Sequence, residues 1–293
     1  MKSLVHTTII VLLAVIVSSP ALAAESKDPK DYPWKRGYVN LGYYIARLDS
    51  GIRFGEKNLG LGLELDVEEF LGLSTSDTSF RVDAGWRFGK TRRHKLDFSW
   101  FRFHRKGSRF LNFQVDIPEL PDGSGGGSIG PGNFTTTFNF DIYKLMYEYS
   151  VVFDENIDLN LGIGLFVTPI EVGWSGTING VLESTVQEDI TAPLPVIGVG
   201  IDYSITPKWF IRQQLNLFYL EISNYSGGIS NLQAALEWLP FERPFWKHFG
   251  FGLGVDAMRV EVEAEDSDVP GVDFRGTIGF SYFGAQLYLK AVW

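Results

Sequence analysis

The last eleven residues of the chain, Phe283 to Trp293, alternate strictly between two kinds of side chain. Neighbouring side chains of a β-strand point to opposite faces, so this pattern predicts a strand with one apolar face. The strand ends the chain on an aromatic residue. The apolar set is Phe283, Ala285, Leu287, Leu289, Ala291 and Trp293, and the intervening set contains Gly284, Gln286, Tyr288 and Lys290.

This C-terminal strand resembles the terminal strand of small, single-chain outer-membrane β-barrels of Gram-negative bacteria. The resemblance implies an outer-membrane location and a strand that the barrel-assembly machinery reads during biogenesis. The block from Asp66 to Trp100 also resembles uncharacterised proteobacterial outer-membrane proteins. This second resemblance implies no particular activity. The residues of the implied assembly signal are Phe283, Leu287, Leu289 and Trp293.

The N-terminus predicts export. Lys2 precedes the apolar run from Ile9 to Val17, and Pro20 and the small-x-small site Ala21-Leu22-Ala23 follow it. This order is typical of a cleaved signal peptide, whereas an uncleaved membrane anchor would need a longer run, of roughly 20 residues. We expect a signal peptide over residues 1–23, a periplasmic lead over 24–36 and one transmembrane barrel over 37–293.

The composition of the chain argues against several classes of function. The chain has no cysteine, which excludes disulfides, thiol chemistry and a lipoprotein anchor. Its formal charge of −9 argues against a nucleic-acid partner, which would require a basic surface. After the N-terminal run, Gly, Asp or Pro interrupts every apolar segment within a few residues, so a membrane-spanning form must be a closed sheet.

Two-residue alternation recurs in about ten segments, which predicts an all-β, antiparallel transmembrane barrel. The clearest segment runs from Ser79 to Gly89. Asn58 to Asp66 is ambiguous, because it either extends a hairpin above the membrane or adds strands, so counts of eight or twelve remain alternatives. The other segments are Tyr38–Arg47, Leu96–Trp100, Phe138–Val152, Leu159–Leu165, Ile197–Tyr203, Trp209–Tyr219, Leu232–Trp238, Phe249–Ala257 and the C-terminal strand.

The same alternation predicts a charged lumen in which opposite signs nearly balance. We expect a salt-bridged polar plug, because barrels of about eight to ten strands are narrow enough for side chains to fill. Luminal glycines, which leave space, keep a narrow conduit or a ligand cavity as the alternative. The predicted network is Arg81, Asp83, Arg87, Asp97, Lys144, Glu148, Asp202, Arg212, Glu237, Asp256 and Lys290.

A basic cluster lies where the third strand reaches the outer leaflet. Guanidinium groups pair well with phosphate oxygens, so contact with lipopolysaccharide is one interpretation, and a merely solvated rim is the other. The candidates are Arg102, His104, Arg105, Lys106 and Arg109.

Catalysis is not expected. His104 is the one histidine predicted at the outer end, but Ser99 faces inward and Ser108 lies beyond an expected turn at Gly107. The acidic run from Glu261 to Asp273 lacks the spacing of a calcium loop, so no metal or cofactor is expected. We expect a structural or surface-display protein in contact with outer-membrane lipid. A narrow channel or small-ligand binder, and a lipid-modifying enzyme that uses His104, are the alternatives.

Overall fold

A computed structural model describes residues 32–56, 62–66, 68–69, 72–111, 115–119, 125–129, 132–178, 181–222, 225–266 and 274–293. The expected signal peptide and most of the expected lead lie outside these residues. Within the described part of the chain, no helix is both long enough and apolar enough to span a bilayer.

The chain from Pro33 onward forms a barrel of ten long strands. They are β1 (Gly37–Glu56), β3 (Ser76–Phe88), β4 (His94–Leu111), β7 (Gly132–Phe153), β8 (Ile157–Ile178), β9 (Val181–Thr206), β10 (Trp209–Ile222), β11 (Tyr225–Trp238), β12 (Phe249–Asp266) and β13 (Phe274–Val292). Three short strands, β2 (Gly62–Asp66), β5 (Val115–Glu119) and β6 (Gly125–Ile129), and one 3₁₀ turn at Trp246–His248 complete the described elements.

Each long strand pairs antiparallel with the next long strand, and β13 pairs with β1 to close the sheet. This closing seam extends from Tyr38↔Val292 to Glu56↔Phe274. Closure leaves no long strand with a free edge, which is the condition for a sheet to cross lipid. The predicted all-β class and the count of about ten strands are confirmed.

The ambiguous segment Asn58–Asp66 extends a hairpin. Its described part, β2, pairs with Gly51–Gly55 of β1, beyond the point where β3 begins. Because β2 continues the position of β3 at the outer end, the strand count of the barrel stays at ten. The remainder of the segment, residues 58–61, lies outside the described residues.

The strands are longer at the outer end than alternation predicts. β4 continues to Leu111, so the expected turn at Gly107 is wrong. β8 and β9 remain paired as far as Ile178↔Val181, well beyond the predicted segment Leu159–Leu165. About ten residues suffice to cross the hydrocarbon, and the rest of a strand of 26 residues projects beyond it. Beyond the membrane neither face of a strand needs to be apolar. Strand pairing therefore continues after the alternation of apolar and polar residues has ended.

Short turns close the other end, which is the periplasmic end in barrels of this class. They follow β3, β7, β9 and β11, and they comprise residues 89–93, 154–156, 207–208 and 239–248. Between the two ends the outer face is apolar, and its exposed residues include Tyr43, Ile45, Leu253, Leu287 and Leu289. Hydrocarbon is the medium that this continuous apolar surface requires.

A tyrosine ring and a glycine pack against each other on the inner side of the closing seam. A Cβ atom built on Gly284 would lie 2.5 Å from the Cζ and Oη atoms of Tyr44. The absent side chain at Gly284 therefore provides the space that the ring of Tyr44 fills, and the seam becomes densely packed.

The replacement Gly284→Leu is expected to lower the free energy of unfolding by about 1–3 kcal/mol, because it overpacks the seam against Tyr44. Urea unfolding of the refolded protein in detergent measures the change. The matched control is Ala285→Leu, which adds a comparable side chain to the lipid-facing side of the next residue. Equal effects of the two replacements would contradict the proposed packing of the seam.

Candidate functional site

The lumen is the candidate site, and its periplasmic half contains charged side chains. All eleven residues of the predicted network point inward. Ten are buried, and the side chain of Arg212 is 20% exposed. Every second residue of each strand faces the lumen, so the strands bring charges that are far apart in sequence into one layer.

Ion pairs link most of this layer into a chain near the periplasmic end. Glu237 accepts from the Nζ atom of Lys290 at 2.8 Å, and its Oε1 atom lies 3.7 Å from Nη1 of Arg212. Arg212 also pairs with Asp202, at 3.1 Å. The Nη2 atom of Arg87 lies 3.8 Å from the Oδ2 atom of Asp202. Because several of these groups pair with two partners of opposite sign, each charge is compensated although little water reaches it.

Tyr38 crosses this layer from β1. Its hydroxyl donates a hydrogen bond to Asp97. Its ring lies beneath two cations, with centroid distances of 4.5 Å to Cζ of Arg212 and 4.2 Å to Nζ of Lys290. The ring therefore adds cation–π contacts to the ion pairs and fills the space between them.

Two further charged residues of the layer were not predicted from the sequence. Lys95 bridges Asp97 at 2.8 Å and Glu148 at 2.5 Å, and Asp158 pairs with Arg87. Each residue stands at an inward position directly before a segment whose alternation had been recognised. The available signal was the position alone, because Lys95 is two residues before Asp97 and Asp158 directly precedes Leu159.

Asp256 is the centre of the next layer and is fully buried. It accepts from Arg81 at 2.6 Å, from Asn231 at 2.6 Å and from Gln233 at 2.7 Å. Gln233 in turn accepts from Lys144 at 2.8 Å. Three strong donors satisfy the Asp256 carboxylate, as a charge in this position requires.

The outer half of the lumen is apolar, in contrast to the charged lumen predicted from the sequence. Aromatic rings from four strands pack edge to face or tilted, as in the pairs Phe103–Phe140 at 5.1 Å and Phe140–Phe280 at 4.7 Å. We call this the apolar cluster. Its buried members are Tyr44, Ala46, Leu48, Phe101, Phe103, Phe140, Ile142, Met146, Phe166, Val196, Ile229, Met258 and Tyr282.

A salt bridge closes the outer end above the apolar cluster. Glu68, in the connection between β2 and β3, is buried and accepts from Nη1 of Arg105 at 2.6 Å. It also accepts from the backbone N–H and the hydroxyl of Ser50, both at 2.8 Å. Arg105 therefore faces the lumen, and its expected contact with lipopolysaccharide is corrected. The turn predicted at Gly107 had obscured its inward position.

Trp34 closes the periplasmic end. The side chain is buried, and its Nε1 atom donates to the carbonyl of Asp154 at 2.5 Å. Its ring packs on Phe210 with a centroid distance of 6.0 Å. Trp34 thus covers the charged layers from below.

The luminal glycines do not leave an open path. A Cβ atom on Gly252 would overlap the ring of Tyr288, and one on Gly164 would overlap the Met146 sulfur. A Cβ atom on Gly198 would lie 2.8 Å from Met146 Cε. Neighbouring side chains occupy the space that these glycines provide. The polar layers retain a cavity of about 70 Å³ between Asn40, Gln286 and the ion pairs.

Three of the remaining candidates of the basic cluster lie on the outside. Arg102, His104 and Lys106 are exposed on the outer face of β4, and Arg109 donates to the carbonyl of Glu69. The Nε2 atom of His104 lies 3.9 Å from Oδ1 of Asp141. These exposed side chains point away from the barrel.

Among the described residues, the serines considered for the alternative enzyme hypothesis do not meet His104. Ser99 is buried in the lumen, while His104 and Ser108 stand four residues apart on the outer face of one strand. That spacing corresponds to roughly 13 Å, well beyond hydrogen-bond reach. Ser108 instead shares a hydrogen bond with Thr135 at 3.2 Å.

No protein-family model matches the chain, and no curated protein matches it. Among solved structures, the outer-membrane protease OmpT from Escherichia coli shares 9% identity over 92% of this chain and 99% of its own, with a TM-score of 0.49. The outer-membrane protein OprG from Pseudomonas aeruginosa shares 10% identity over 90% and 99%, with a TM-score of 0.36. The toluene transporter TodX from Pseudomonas putida shares 7% identity over 88% and 90%, with a TM-score of 0.32.

Similarities of this size carry no functional information. The class follows from the barrel itself, which is a closed antiparallel sheet with an apolar outside and a filled interior. The protein is a small outer-membrane β-barrel with ten strands in its wall.

The replacement Arg81→Met is expected to cost about 3–5 kcal/mol of unfolding free energy, because it leaves Asp256 as a buried carboxylate without its cation. Urea titration of the refolded protein measures this loss. The control Arg102→Met removes an exposed arginine and is expected to change the stability by less than about 0.5 kcal/mol. The double variant Arg81→Met, Asp256→Asn should recover part of the loss. Indistinguishable effects of the two arginine replacements would refute the central role of this ion pair.

Proposed function

We propose that this protein is a closed, non-catalytic barrel that has a structural or surface-display role in the outer membrane. The observation that carries the proposal is the filling of the lumen along its length. Trp34 covers the periplasmic end, ion pairs and the apolar cluster fill the middle, and the Glu68–Arg105 pair covers the outer end.

The apolar cluster supports the closed interpretation most strongly. A hydrated ion that entered this cluster would lose water and find few polar partners, which is costly in a medium of low dielectric constant. The charged layers add no selective ring, because six cations face seven carboxylates and most are already paired with one another. A conducting pore would need unpaired charges or exposed carbonyl groups along a wet path.

The size of the polar cavity disfavours the ligand-binding alternative. Its volume is about 70 Å³. Pockets for small molecules are typically about 300–1,000 Å³. The cavity is large enough for about two water molecules, which would meet the buried amides of Asn40 and Gln286.

Contact with lipopolysaccharide remains part of the proposal. Arg102 and Lys106 lie on the outer face of β4, toward the end where phosphate groups of that lipid are found. Arg102 is paired in register with Asp141, which reduces the net charge of the patch. We therefore assign these side chains a role in lipid packing around the barrel.

Planar bilayers test the closed lumen. The refolded wild-type protein is expected to give no stable unitary currents. An outward control, Phe80→Ala with Phe98→Ala, should also be silent, because these rings face lipid. Stable currents in the wild type that change in Phe103→Ala with Phe140→Ala, but not in the outward control, would establish the channel and overturn the proposal. Heat-modifiable migration in SDS gels confirms that each variant is folded.

Incubation with purified lipopolysaccharide tests both the lipid contact and the absence of catalysis. The lipid is expected to raise the thermal unfolding midpoint of the wild type, and Arg102→Gln with Lys106→Gln should reduce this increase. The control Lys35→Gln with Arg36→Gln alters the opposite end and should keep it. Mass spectrometry of lipid A recovered from the same sample should show no change. A mass change that disappears in His104→Ala would instead identify an enzyme.

A further inference from the structure

The turn between β11 and β12, residues 239–248, exposes three large aromatic side chains at the periplasmic end. Phe245 is 68% exposed, Trp246 is 51% exposed and Phe241 is 40% exposed. Turns that face water are normally polar, so rings of this size in a ten-residue connection require an apolar or interfacial medium.

Several contacts hold the turn in one arrangement. The N–H of Leu239 donates to the carbonyl of Lys208 at 2.8 Å, and the ammonium of Lys208 pairs with Glu242 at 2.5 Å. The imidazole Nδ1 atom of His248 lies 2.9 Å from the carbonyl oxygen of Val292. Two prolines, Pro240 and Pro244, further restrict the backbone. The exposed rings therefore belong to a platform that is built before any ligand arrives.

The aromatic side chains continue the lipid-facing surface of the barrel. Phe241 contacts Phe251 of β12 at 6.3 Å between ring centroids, and Trp246 contacts Phe249 at 6.0 Å. On the other side, Trp238 stacks on Trp209 at 5.4 Å. A belt of this kind lies at the boundary between hydrocarbon and headgroups. The turn thus extends the belt to the level of the phospholipid headgroups of the periplasmic leaflet.

The polar part of the same turn is basic. The N–H of Lys247 donates to the carbonyl of Arg243 at 2.9 Å, which is one helical turn and places the two side chains on the same side. Like charges at this spacing repel, and the acidic residue of the turn, Glu242, is already engaged by Lys208. Arg243 and Lys247 therefore favour an anion that lies between them.

The basic character extends over the whole described periplasmic rim. Eight cationic side chains face three carboxylates there, although the complete chain has a formal charge of −9. The cations are Lys35, Arg36, Lys90, Arg92, Arg93, Lys208, Arg243 and Lys247, and the carboxylates are Asp154, Glu155 and Glu242. The rim thus has the sign that attracts anionic lipid headgroups.

We propose that the turn 239–248 is a binding site for an anionic phospholipid of the periplasmic leaflet. Phe241, Phe245 and Trp246 pack against the upper acyl chains and the glycerol region, and Arg243 and Lys247 bind the phosphodiester. The continuity of the rings with the lipid-facing wall favours lipid over a cell-wall polymer, which would approach from the aqueous side.

The test measures retention of lipid by the full mature protein in native mass spectrometry. The refolded wild type is exposed to equal amounts of phosphatidylglycerol and phosphatidylcholine, and it should retain the anionic lipid preferentially. Arg243→Gln with Lys247→Gln is expected to reduce this preference by roughly 25-fold, because the loss of each cation contributes about fivefold and the two factors multiply. The control Lys35→Gln with Arg36→Gln removes the same charge from the same rim, away from the rings, and should keep the preference.

Three results would overturn the proposal. They are no preference for phosphatidylglycerol in the wild type, an equal loss in the control pair, and binding to purified peptidoglycan that depends on Arg243 and Lys247. Phe245→Ser with Trp246→Ser supplies a second measurement, since it should shorten the retention of both lipids. Heat-modifiable migration shows that each variant is folded, so that loss of retention reports on the site.

Discussion

The structure depends on one constraint, which is that hydrocarbon offers no partner for backbone N–H and C=O groups. The seam between β1 and β13 satisfies this constraint by pairing the first long strand with the last over nineteen residue pairs. Once the sheet is closed, every second side chain must face lipid and every other one must face a narrow interior. The apolar outside and the paired charges inside both follow from this closure.

The interior then has to be filled, because a barrel of this width has space for side chains and little else. Two solutions occur at different heights. In the periplasmic half, Lys95 and Arg212 each serve two carboxylates, so that charge is balanced without bulk water. In the outer half, the apolar cluster packs like the core of a soluble protein. The lumen is thus filled by ion pairs in its periplasmic half and by apolar side chains in its outer half.

The two ends of the barrel contact different surroundings. At the outer end, the strands extend beyond the membrane, and Glu68 turns inward to meet Arg105. At the periplasmic end, Trp34 covers the lumen while the rings around Trp246 face outward. Closure of the lumen and anchoring in the lipid leaflet are therefore assigned to different residues of the same rim.

The wall of the barrel was predictable from the sequence alone, since alternation is a local property of each strand. The pattern from Ser79 to Gly89 predicted which residues would face lipid, and it also placed Arg81 and Arg87 inside. Partners were not predictable, because Arg81 and Asp256 are 175 residues apart and meet only across the closed lumen. The apolar cluster was not predicted from the sequence, for a related reason. Around Phe101 and Phe103 the apolar residues face inward and their outward neighbours Arg102 and His104 are polar, so alternation alone no longer tells which apolar face meets lipid. The sequence therefore determined the shape and the medium of this protein, whereas the contents of its lumen were decided by tertiary structure, which alone sets the height at which each inward side chain meets the others.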